Sequence, residues 1–471
     1  MKRYVLSLVA LAVATASTPA DEPGGAKYRA TQPGPKRVSA QPKRPNIVFL
    51  LADDLRWNVL GCTGDKLAKT PHLDALAKRG VNFRNAFVTT SICAVSRASI
   101  LSGQYARRHK INDFATEFTP AAYARTYPML LRTAGYRVGF IGKFGVGKMM
   151  PDTSFDYWKG FPGQGTYFGK EEKTHLTARM GDQAIEFLKG CKKEQPFCLS
   201  LSFKCPHAMD AAKREYPPDP RDEDLFKDAM FPIPQTTDAK FFDQMSKFVQ
   251  DSESRKRWER RFKTPEMFQT IVRDYYRLVT GMDREVGRIV AELERLGLTE
   301  NTIIIFTSDN GYFFGEHGLA DKWYLYEESI RVPLIVFDPS LPMEKRNRTL
   351  EPMALNIDLA PTMLAYAGVG VPISIQGSSL RPLVKGESPQ WRGDWFYEHH
   401  TAAKIIPPSE GVRTTRWTYL RWLKDAKNPV EELYDLQADP LQERNLSAQP
   451  QHQDTLRQLR ARWEQLRKNL E

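Results

Sequence analysis

Five short stretches of mostly apolar residues divide the first three quarters of the chain. They cover residues 46–52, 137–142, 197–203, 302–307 and 332–337, and they are rich in Val, Ile, Leu and Phe. Runs that are apolar at successive positions, rather than at alternating ones, are typical of strands buried on both faces of a parallel sheet. The pattern therefore predicts five interior strands.

Amphipathic segments separate these strands. The clearest extends from about residue 265 to 296, and its apolar stripe consists of Ile271, Tyr275, Leu278, Met282, Val286 and Ile289. A shorter helix is predicted to begin at Pro71, with Thr70 as its N-cap, and to end at Gly80. Strands that alternate with helices predict an α/β fold, in which helices flank a large mixed, mostly parallel sheet.

The last quarter of the chain has a different pattern. Residues 395–397, 418–420 and 432–436 predict short antiparallel strands, and residues 451–470 predict a charged terminal helix. We therefore divide the chain into a catalytic α/β domain at residues 45–380 and a small C-terminal α+β subdomain, with a short antiparallel sheet, at residues 381–471. The charged segment 210–264 has few strand signals. We interpret it as an insertion that lies beside the candidate site described below, rather than as a domain.

The N-terminus has the features of a secretory signal. Lys2 and Arg3 precede an apolar core at residues 5–14, and small residues follow at Ala16 and Ala20. This core is short for a membrane span, and no later run is long and apolar enough to cross a bilayer. We predict a signal peptide at residues 1–20, a flexible leader at residues 21–44 and a periplasmic or secreted mature protein.

Composition adds two constraints on partners. The net charge of +12 suits a polyanion, either nucleic acid or an acidic polysaccharide. We expect no nucleic-acid partner, because no zinc-finger, RNA-recognition or helix-turn-helix pattern accompanies the charge. The five cysteines are an odd number, which in an exported protein calls for a reason, and their spacing is not that of a zinc site.

Polar side chains follow four of the predicted strands. In chain order they are Asp53 and Asp54, Lys143, His207, and Asp309 and Asn310. Because the carboxyl ends of parallel strands meet at one edge of a sheet, we expect these side chains to share a site. Carboxylate and amide oxygens suit Ca²⁺ or Mg²⁺ better than a transition metal. The acidic and amide side chains therefore predict a Ca²⁺ site, with Mg²⁺ as the alternative.

A cysteine and an arginine stand together at the start of a predicted helix. Residues 91–103 read SICAVSRASILSG, which places Cys93 and Arg97 one turn apart. A helix N-terminus stabilises anions. Arg97 joins Lys143, His207 and Lys322 in a basic set drawn from four segments. That set favours a site for a tetrahedral anion.

Residues 45–446 resemble the type I sulfatases of the alkaline phosphatase superfamily. The matching segments are PNIVFLLADD (45–54), CAVSR (93–97), GK (142–143), PH (206–207), SDNG (308–311), GEHGL (315–319) with Lys322, and LYDL (433–436). The resemblance implies that a maturation enzyme oxidises Cys93 to formylglycine, whose hydrate is the nucleophile. It implies a metal held by Asp53, Asp54, Asp309, Asn310 and modified Cys93. It further implies that Arg97, Lys143 and Lys322 neutralise the sulfate and that His207 or Lys322 protonates the leaving oxygen.

Two positions depart from the family pattern. Val95 stands where the family has Pro or Ala, within the segment that the maturation enzyme recognises. Gly145 stands where the family has a histidine that assists turnover of the sulfated intermediate. We therefore expect slow collapse of that intermediate, which Gly145→His should accelerate, unless His207 or His317 already does this work.

The combined features predict an exported sulfatase that acts on a sulfated carbohydrate. The candidates to contact the sugar are Glu398, His399, His400 and Arg413. Three alternatives stay open: a phosphodiesterase or phosphonate monoesterase on the same scaffold, a non-catalytic protein that binds sulfated glycans, and a basic surface-binding protein without a site. Relative turnover of sulfate and phosphate esters separates the first, and glycan binding without sulfate release identifies the second.

Overall fold

A computed structural model describes residues 44–169, 173–210, 212–425 and 427–470. The predicted signal peptide at residues 1–20 lies outside the described residues, and so does the predicted leader apart from Arg44. The strands in the described ranges are β1 (Asn46–Asp53), β2 (Val81–Phe83), β3 (Ala86–Phe87), β4 (Arg137–Lys143), β5 (Tyr157–Phe161), β6 (Phe197–Pro206), β7 (Thr302–Ser308), β8 (Phe313–Phe314), β9 (Ala320–Asp321), β10 (Arg331–Val332), β11 (Leu334–Phe337), β12 (Arg348–Leu350), β13 (Ala354–Leu355), β14 (Asp394–His399), β15 (Ser409–Thr414), β16 (Trp417–Trp422) and β17 (Val430–Asp435).

The α-helices of the same ranges include one long helix and many short ones. They are α1 (Pro71–Arg79), α2 (Cys93–Ser102), α3 (Ala106–His109), α4 (Pro120–Tyr123), α5 (Tyr127–Thr133), α6 (Leu176–Lys189), α7 (Ala239–Asp243), α8 (Lys247–Gln250), α9 (Glu253–Arg261), α10 (Pro265–Arg295), α11 (Glu327–Ile330), α12 (Leu359–Tyr366), α13 (Arg381–Val384) and α14 (Gln453–Asn469). The long helix α10 buries the predicted stripe, except that Ile271 is only partly buried.

The main sheet has eight strands in the order β12-β2-β11-β7-β1-β6-β4-β5. The five strands from β7 to β5 are parallel to one another, whereas β11 is antiparallel to both of its neighbours. The predicted α/β class, with a mixed and mostly parallel sheet, is confirmed. The parallel block brings the carboxyl ends of four predicted strands to one edge.

Side chains of β1 alternate between two apolar cores. Val48 and Leu50 face the core formed with α1, α6 and α10, whereas Phe49 and Leu51 face the core formed with α2, α5 and α12. Burial on both faces explains why the run is apolar at successive positions. The central strands are therefore a rigid base for the side chains that follow them.

The predicted strand at residues 332–337 is divided in two by Pro333. Proline has no N–H to donate to a ladder, so β10 ends before it and β11 begins after it. The two pieces pair with different strands, β10 with β3 and β11 with β7 and β2. The last predicted strand is thus a shorter, antiparallel neighbour of the parallel block.

Helix α1 is capped from a distance rather than by Thr70. Thr70 precedes the helix as predicted, but its hydroxyl donates to Asp74 at 3.1 Å, accepts from the Gly61 N–H at 2.9 Å and makes no capping bond to α1. The Asp283 carboxylate of α10 accepts from the N–H groups of His72 and Leu73 at 3.2 and 2.7 Å. A side chain more than 200 positions away therefore satisfies the first turn, which local sequence cannot show.

The C-terminal strands β14 to β17 form a four-stranded antiparallel sheet in chain order. The predicted pattern missed β15, because its sequence SEGVRT is mostly polar and contains a glycine. Helix α14 packs on the adjoining apolar cluster through Leu456, Leu459 and Trp463. Within the described ranges, none of the helices combines the length and apolar character that crossing a bilayer requires.

Candidate active site

The carboxyl edge of the parallel block gathers the predicted strand-end residues. Asp53 is the last residue of β1, Lys143 is the last residue of β4, and Asp309 directly follows β7. The backbone N–H of Asp309 donates to the carbonyl of Ala52 at 3.1 Å, which continues the β1–β7 pairing. Parallel register therefore places these three side chains at the same level of the sheet.

Asp54 turns back towards this edge. Its φ of 64° lies in the left-handed region, which is uncommon for a residue with a side chain. Its carbonyl accepts from the Tyr275 hydroxyl at 2.6 Å, and its N–H donates to Asp309 Oδ1 at 3.2 Å. The Lys322 ammonium lies 2.5 and 2.6 Å from the two carboxylate oxygens. These bonds hold a strained backbone position of the kind found at functional sites.

Cys93 is the first residue of α2 and is 1% exposed. Its Sγ lies 3.3 Å from Asp53 Oδ1. Burial, and then the Asp53 carboxylate, raise the pKa of the Cys93 thiol well above its usual value. An unmodified cysteine here is therefore a protonated thiol and a poor nucleophile.

Arg97 lies one turn further along α2, under the acids. Its Nε lies 2.8 Å from Asp309 Oδ2, and its Nη1 donates to the Lys143 carbonyl at 2.7 Å. Ser202 of β6, a residue the sequence analysis missed, accepts from the same Nη1. Arg97 Nη2 lies 3.3 Å from Asp53 Oδ2 but is buried without a hydrogen-bond partner among the described residues. This donor can serve a bound anion.

The Lys143 ammonium bridges the sheet edge and a loop. It lies 2.5 Å from Asp53 Oδ2 and donates to Gln164 Oε1 at 2.6 Å. Although burial alone raises the pKa of Asp53, Lys143, His207 and Arg97 outweigh burial and hold it well below its usual value. Asp53 is therefore ionised. Gln164 was not predicted from the sequence, because its loop has no apolar pattern.

His207 and Lys322 differ in charge. His207 Nε2 lies 3.7 Å from Asp54 Oδ2, and its Nδ1 lies 2.6 Å from the Ala208 carbonyl. Burial lowers the pKa of His207 well below its usual value, although Asp53 opposes this. For Lys322 burial is outweighed by Asp54, so its pKa is raised well above the usual value. Lys322 is therefore the charged member of the predicted proton-donor pair.

The acidic side chains fit a hard divalent cation. Asn310 donates from Nδ2 to Asp54, which leaves its Oδ1 as a buried acceptor with no partner in the described parts of the chain. Burial, with repulsion from Asp53 and Asp309, raises the pKa of Asp54 to about 7, although Lys322 opposes this. Burial and Asp53 also raise the pKa of Asp309. Unsatisfied oxygens and repelling carboxylates are what a Ca²⁺ or Mg²⁺ ion relieves.

Comparison with known proteins decides the family. The sequence pattern of the Sulfatase family matches residues 45–369, and that of the C-terminal part of N-sulphoglucosamine sulphohydrolase matches residues 315–469. The chain is 31% identical to an N-acetylglucosamine-6-O-sulfatase of Bacteroides thetaiotaomicron, over 86% of this chain and 83% of that one. The chain belongs to the sulfatase family of the alkaline phosphatase superfamily. It is a sulfuric ester hydrolase, as the resemblance implied.

Other relatives of this sulfatase agree. The N-acetylglucosamine-6-sulfatase of Capra hircus is 30% identical, over 77% of this chain and 68% of that one. A solved structure in complex with its substrate D-glucosamine-2-N,6-O-disulfate is 29% identical, with a TM-score of 0.78 over 91% and 98% of the two chains. The phosphonate monoester hydrolase of Agrobacterium radiobacter is 20% identical, with a TM-score of 0.69 over 91% and 96%. At that identity the likeness shows the fold alone.

In this sulfatase, Gly145 occupies a position that a histidine cannot easily enter. Its φ is +75°, and a Cβ there would lie 2.7 Å from Arg97 Cδ. Arg97 is held by bonds to Asp309, Ser202 and the Lys143 carbonyl, so moving it aside would break them. That Gly145→His accelerates turnover stays a prediction, and the packing argues against it, because the new side chain would press on the motif arginine.

The two histidines named as substitutes have different surroundings. His207 reaches the acids, as described above. His317 is buried against the Tyr326 ring, 4.9 Å away between centroids, and burial lowers its pKa to about 4. Within the described ranges, it makes no hydrogen bond, ion pair or ring contact with a predicted site residue. His207 is therefore the histidine that the fold delivers to the site.

The four candidates for sugar contact are mostly committed inside the protein. Arg413 Nε lies 2.8 Å from Glu327, and Glu398 accepts from the backbone N–H of Arg107 at 2.8 Å. His399 is fully buried, and only His400 is partly exposed. Because Glu398 and Arg413 already hold partners, the structure gives no support to a role for them in reading the sugar.

All five cysteines are free in this sulfatase. Cys198 is buried in β6, as predicted, and Cys205 donates to the Leu278 carbonyl at 3.0 Å. Because none of the five is paired with another, the odd number does not single out any one of them. What favours modification of Cys93 is then its buried position beside Asp53 and its place in the family motif.

Proposed function

We propose that this sulfatase is an exported enzyme that hydrolyses a sulfate ester of a saccharide, with residue 93 as formylglycine and one bound Ca²⁺ or Mg²⁺. The observation that carries the proposal is the cluster at the sheet edge. Within it, Cys93 lies 3.3 Å from Asp53, and Arg97 and Lys143 both approach the same carboxylate. Buried charges of both signs, some with unused bonding capacity, favour binding of an anionic sulfate group and a cation together.

Charge counting supports that assignment. Three carboxylates, Asp53, Asp54 and Asp309, face three cations, Arg97, Lys143 and Lys322. The cluster is thus close to neutral by itself. Asp53, Asp54, Asp309 and Asn310 would hold a divalent cation. Lys143, Lys322 and Arg97 Nη2 would then be available to neutralise sulfate oxygens as charge develops on them.

Residue 93 is placed for modification rather than for direct use of its thiol. Formylglycine, once hydrated, supplies a hydroxyl nucleophile and a second hydroxyl that lets the sulfate leave. Asp53 Oδ1, 3.3 Å from the side-chain atom at position 93, can accept a proton there. The 1% exposure of Cys93 means that a formylglycine-generating maturation enzyme must reach it before the chain folds.

Val95 bears on that maturation step only. In the folded protein it is fully buried in the apolar cluster that contains Phe87, Ile92 and Tyr105. A valine at this position therefore suits the fold, and any effect it has is on recognition of the unfolded segment. Mass spectrometry of the peptide around Cys93 tests the modification. A thiol that can be alkylated in every molecule of an active preparation would exclude it.

Lys322 is the group best placed to protonate the leaving oxygen. Its ammonium is charged and held beside Asp54, whereas His207 is neutral. Because its Nδ1 donates to the Ala208 carbonyl, the neutral His207 ring presents Nε2 as an acceptor, which can take up and relay a proton. General acids typically contribute about a hundredfold or more to the rate. Poor leaving groups such as sugar alcohols therefore need this lysine more than aryl sulfates do.

The substrate class follows from the relatives. We propose a sulfated amino sugar, with the 6-O-sulfate of N-acetylglucosamine as the first candidate, because proteins of that name are 31% and 30% identical over most of this chain. The net charge of +12 suits such an acidic glycan. A panel of sulfated saccharides, assayed for free sulfate, tests the substrate.

The same panel distinguishes the alternatives. 4-Nitrophenyl phenylphosphonate, a phosphonate monoester, and bis-(4-nitrophenyl) phosphate, a diester, should turn over at least about a hundredfold more slowly than the best sulfate ester, if the site is tuned to sulfate. Faster phosphonate or diester turnover would identify a phosphonate monoesterase or phosphodiesterase. Glycan binding without sulfate release would identify a binding protein.

Export is supported by the basic start at Lys2 and Arg3 and the apolar core at residues 5–14. We expect the mature protein in the periplasm or the medium. Fractionation of cells that express the full chain, with N-terminal sequencing of the product, tests both the location and the cleavage after residue 16 or 20. An intact N-terminus in the cytosol would contradict it.

A further inference from the structure

The loop that carries Lys322 has an unfavourable backbone conformation. Asp321 has a φ of 68° and Trp323 a φ of 92°, although neither is glycine. Left-handed positions of this kind persist only where the surroundings hold them in place. The short pairing of β8 with β9 ends at Asp321, so the sheet does not support Lys322 and Trp323. Another element must hold the loop.

Helix α9 supplies most of these contacts from one of its faces, and the Tyr397 hydroxyl adds a hydrogen bond to the Trp323 carbonyl at 2.6 Å. Ser254 Oγ donates to the carbonyl of Ala320 at 2.7 Å and accepts from its N–H at 3.2 Å. Arg257 Nη1 lies 2.7 Å from Asp321 Oδ2, and Arg261 Nη1 lies 2.7 Å from Asp321 Oδ1. The three side chains are three and four positions apart, so they share one side of the helix.

The same two arginines also hold the loop that follows His207. Asp210, three residues after His207, lies 2.7 Å from Arg261 Nη2 and 3.1 Å from Arg257 Nη1. Arg261 is fully buried and also binds Glu215 and the hydroxyl of Tyr312. One buried guanidinium therefore joins the segments that carry the two candidate proton donors.

We propose that α9 is a positioning element for leaving-group protonation: Ser254, Arg257 and Arg261 set the position of Lys322 relative to His207. The proposal rests on the proposed sulfatase function, and it assigns a task to the charged segment that sequence analysis could place only beside the site. Within the described ranges, none of the three makes a hydrogen bond or ion pair with a predicted metal ligand or sulfate-binding residue. They act through Ala320, Asp321 and Asp210, and they are positioning residues rather than catalytic ones.

A misplaced proton donor has a distinctive kinetic effect. An aryl sulfate releases a stabilised phenolate and needs little protonation, whereas a sugar sulfate releases an alkoxide and needs much. A displacement of about 1 Å in a catalytic group can cost about a hundredfold in rate. Loosening the loop should therefore reduce kcat on the sugar ester selectively. A general loss of folded protein would reduce both activities by the same factor.

The test compares two substrates across four variants of the full-length, matured enzyme. The substrates are 4-nitrophenyl sulfate and N-acetylglucosamine 6-sulfate, and the variants are Arg257→Gln, Arg257→Lys, Ser254→Ala and Arg260→Gln. Arg260 is the matched control, because it lies on the same helix, is exposed and makes no side-chain hydrogen bond or ion pair with the described residues. For Arg257→Gln we expect about a tenfold or greater loss of kcat on the sugar ester and less than about threefold on the aryl ester. Arg257→Lys should recover part of the loss, Ser254→Ala should show a smaller selective loss, and Arg260→Gln should show none.

Equal losses on the two substrates, or no loss in Arg257→Gln, would overturn the positioning role. If the unaltered enzyme released no sulfate from either ester, the proposed function would fail instead. Hydrogen exchange then tests the loop without turnover. Amides at residues 320–323 should exchange faster in Arg257→Gln and Ser254→Ala than in Arg260→Gln, and equal protection in all of them would also overturn the proposal.

Discussion

Two groups of acidic and histidine side chains in this sulfatase have similar compositions. Asp53, Asp54, Cys93 and His207 meet at the carboxyl edge of the main sheet, and Glu398, His400 and Glu410 meet beside the C-terminal sheet. In both, the potential ligand atoms lie within 4.8 Å of one another. Residue types and spacing alone would make each a metal site.

The bonding of the two groups differs. In the C-terminal group, Glu410 Oε1 lies 2.6 Å from Arg107 Nη2 and 3.1 Å from His400 Nε2. Glu410 Oε2 accepts a hydrogen bond from Trp463 Nε1 at 3.1 Å. Glu398 is likewise bound to Arg107. At the sheet edge, by contrast, Asn310 Oδ1 and Arg97 Nη2 are buried without hydrogen bonds to the described residues. Free bonding capacity, rather than acidic content, distinguishes a site from a structural ion-pair cluster.

The sharpest test of this contrast is removal of one sheet-edge ligand. Asp309→Ala should eliminate both the bound alkaline-earth ion and sulfate release, by about a thousandfold or more, since a metal ion supplies several kcal/mol of charge stabilisation. Elemental analysis and a sulfate assay on the same preparation measure both. Full occupancy by zinc, or retained activity, would refute the cation assignment.

Cys93→Ser should come next in size. A serine hydroxyl can accept sulfate but lacks the second hydroxyl that releases it, so steady-state turnover should fall by at least about a hundredfold. One equivalent of alcohol per enzyme should still appear, with a matching mass increase in the intact protein. Sustained turnover by the serine variant would argue against formylglycine.

The C-terminal group should respond in the opposite sense. Glu410→Gln should leave metal content and kcat within about twofold, yet lower the free energy of unfolding by roughly 1–3 kcal/mol, because Arg107 loses its 2.6 Å carboxylate partner and keeps the longer ion pair with Glu398. Denaturant unfolding followed by circular dichroism measures the loss. A fall in metal content without a fall in stability would break the comparison.

Gly145 tests how tightly the sheet-edge group is packed. Gly145→Ala should reduce stability by roughly 1–3 kcal/mol, because the left-handed φ of +75° is strained for any residue with a side chain. It should also lower kcat, because the new methyl group would press on Arg97. Gly145→His should be slower still. Faster steady-state sulfate release by the histidine variant would show that Arg97 can move.

The smallest effect on activity is expected from a buried carboxylate outside both groups. Burial raises the pKa of Asp283, the remote cap of α1, to about 7. The folded state therefore keeps a proton that the unfolded chain loses near pH 4, so this residue makes stability fall as pH rises from about 4 to 7. Asp283→Asn removes that slope. Relative to the unaltered protein, its free energy of unfolding should rise by about 2–3 kcal/mol between pH 5 and 7.5. A constant difference across that range would contradict the pKa.

The fold was predictable from sequence wherever burial is two-sided. Apolar runs identified β1, β4, β6 and β7, because a central parallel strand has no solvent face to make it alternate. The same reasoning failed for β15, where neighbours bury polar positions, and for the run split by Pro333.

The candidate site was predictable for a related reason. Asp53, Lys143 and Asp309 each follow an apolar run, so parallel topology alone brings them to one edge. Ser202 and Gln164 were not predictable, because neither stands at the end of a run. Their importance comes from contacts with Arg97 and Lys143 across 105 and 21 positions of the chain.

By itself, the sequence determined which strands are central and which side chains share their carboxyl edge, since periodicity and strand ends are local properties. Tertiary structure decided which charges keep free bonds. Both carboxylate oxygens of Glu410 have partners, whereas Asn310 Oδ1 has no hydrogen-bond partner among the described residues. Arg257 binds Asp321 across 64 positions of the chain. Such pairings depend on distances between segments that are remote in the chain, and chain order does not encode those distances locally. The physical reason is that a buried charge takes its role from the partners packed around it.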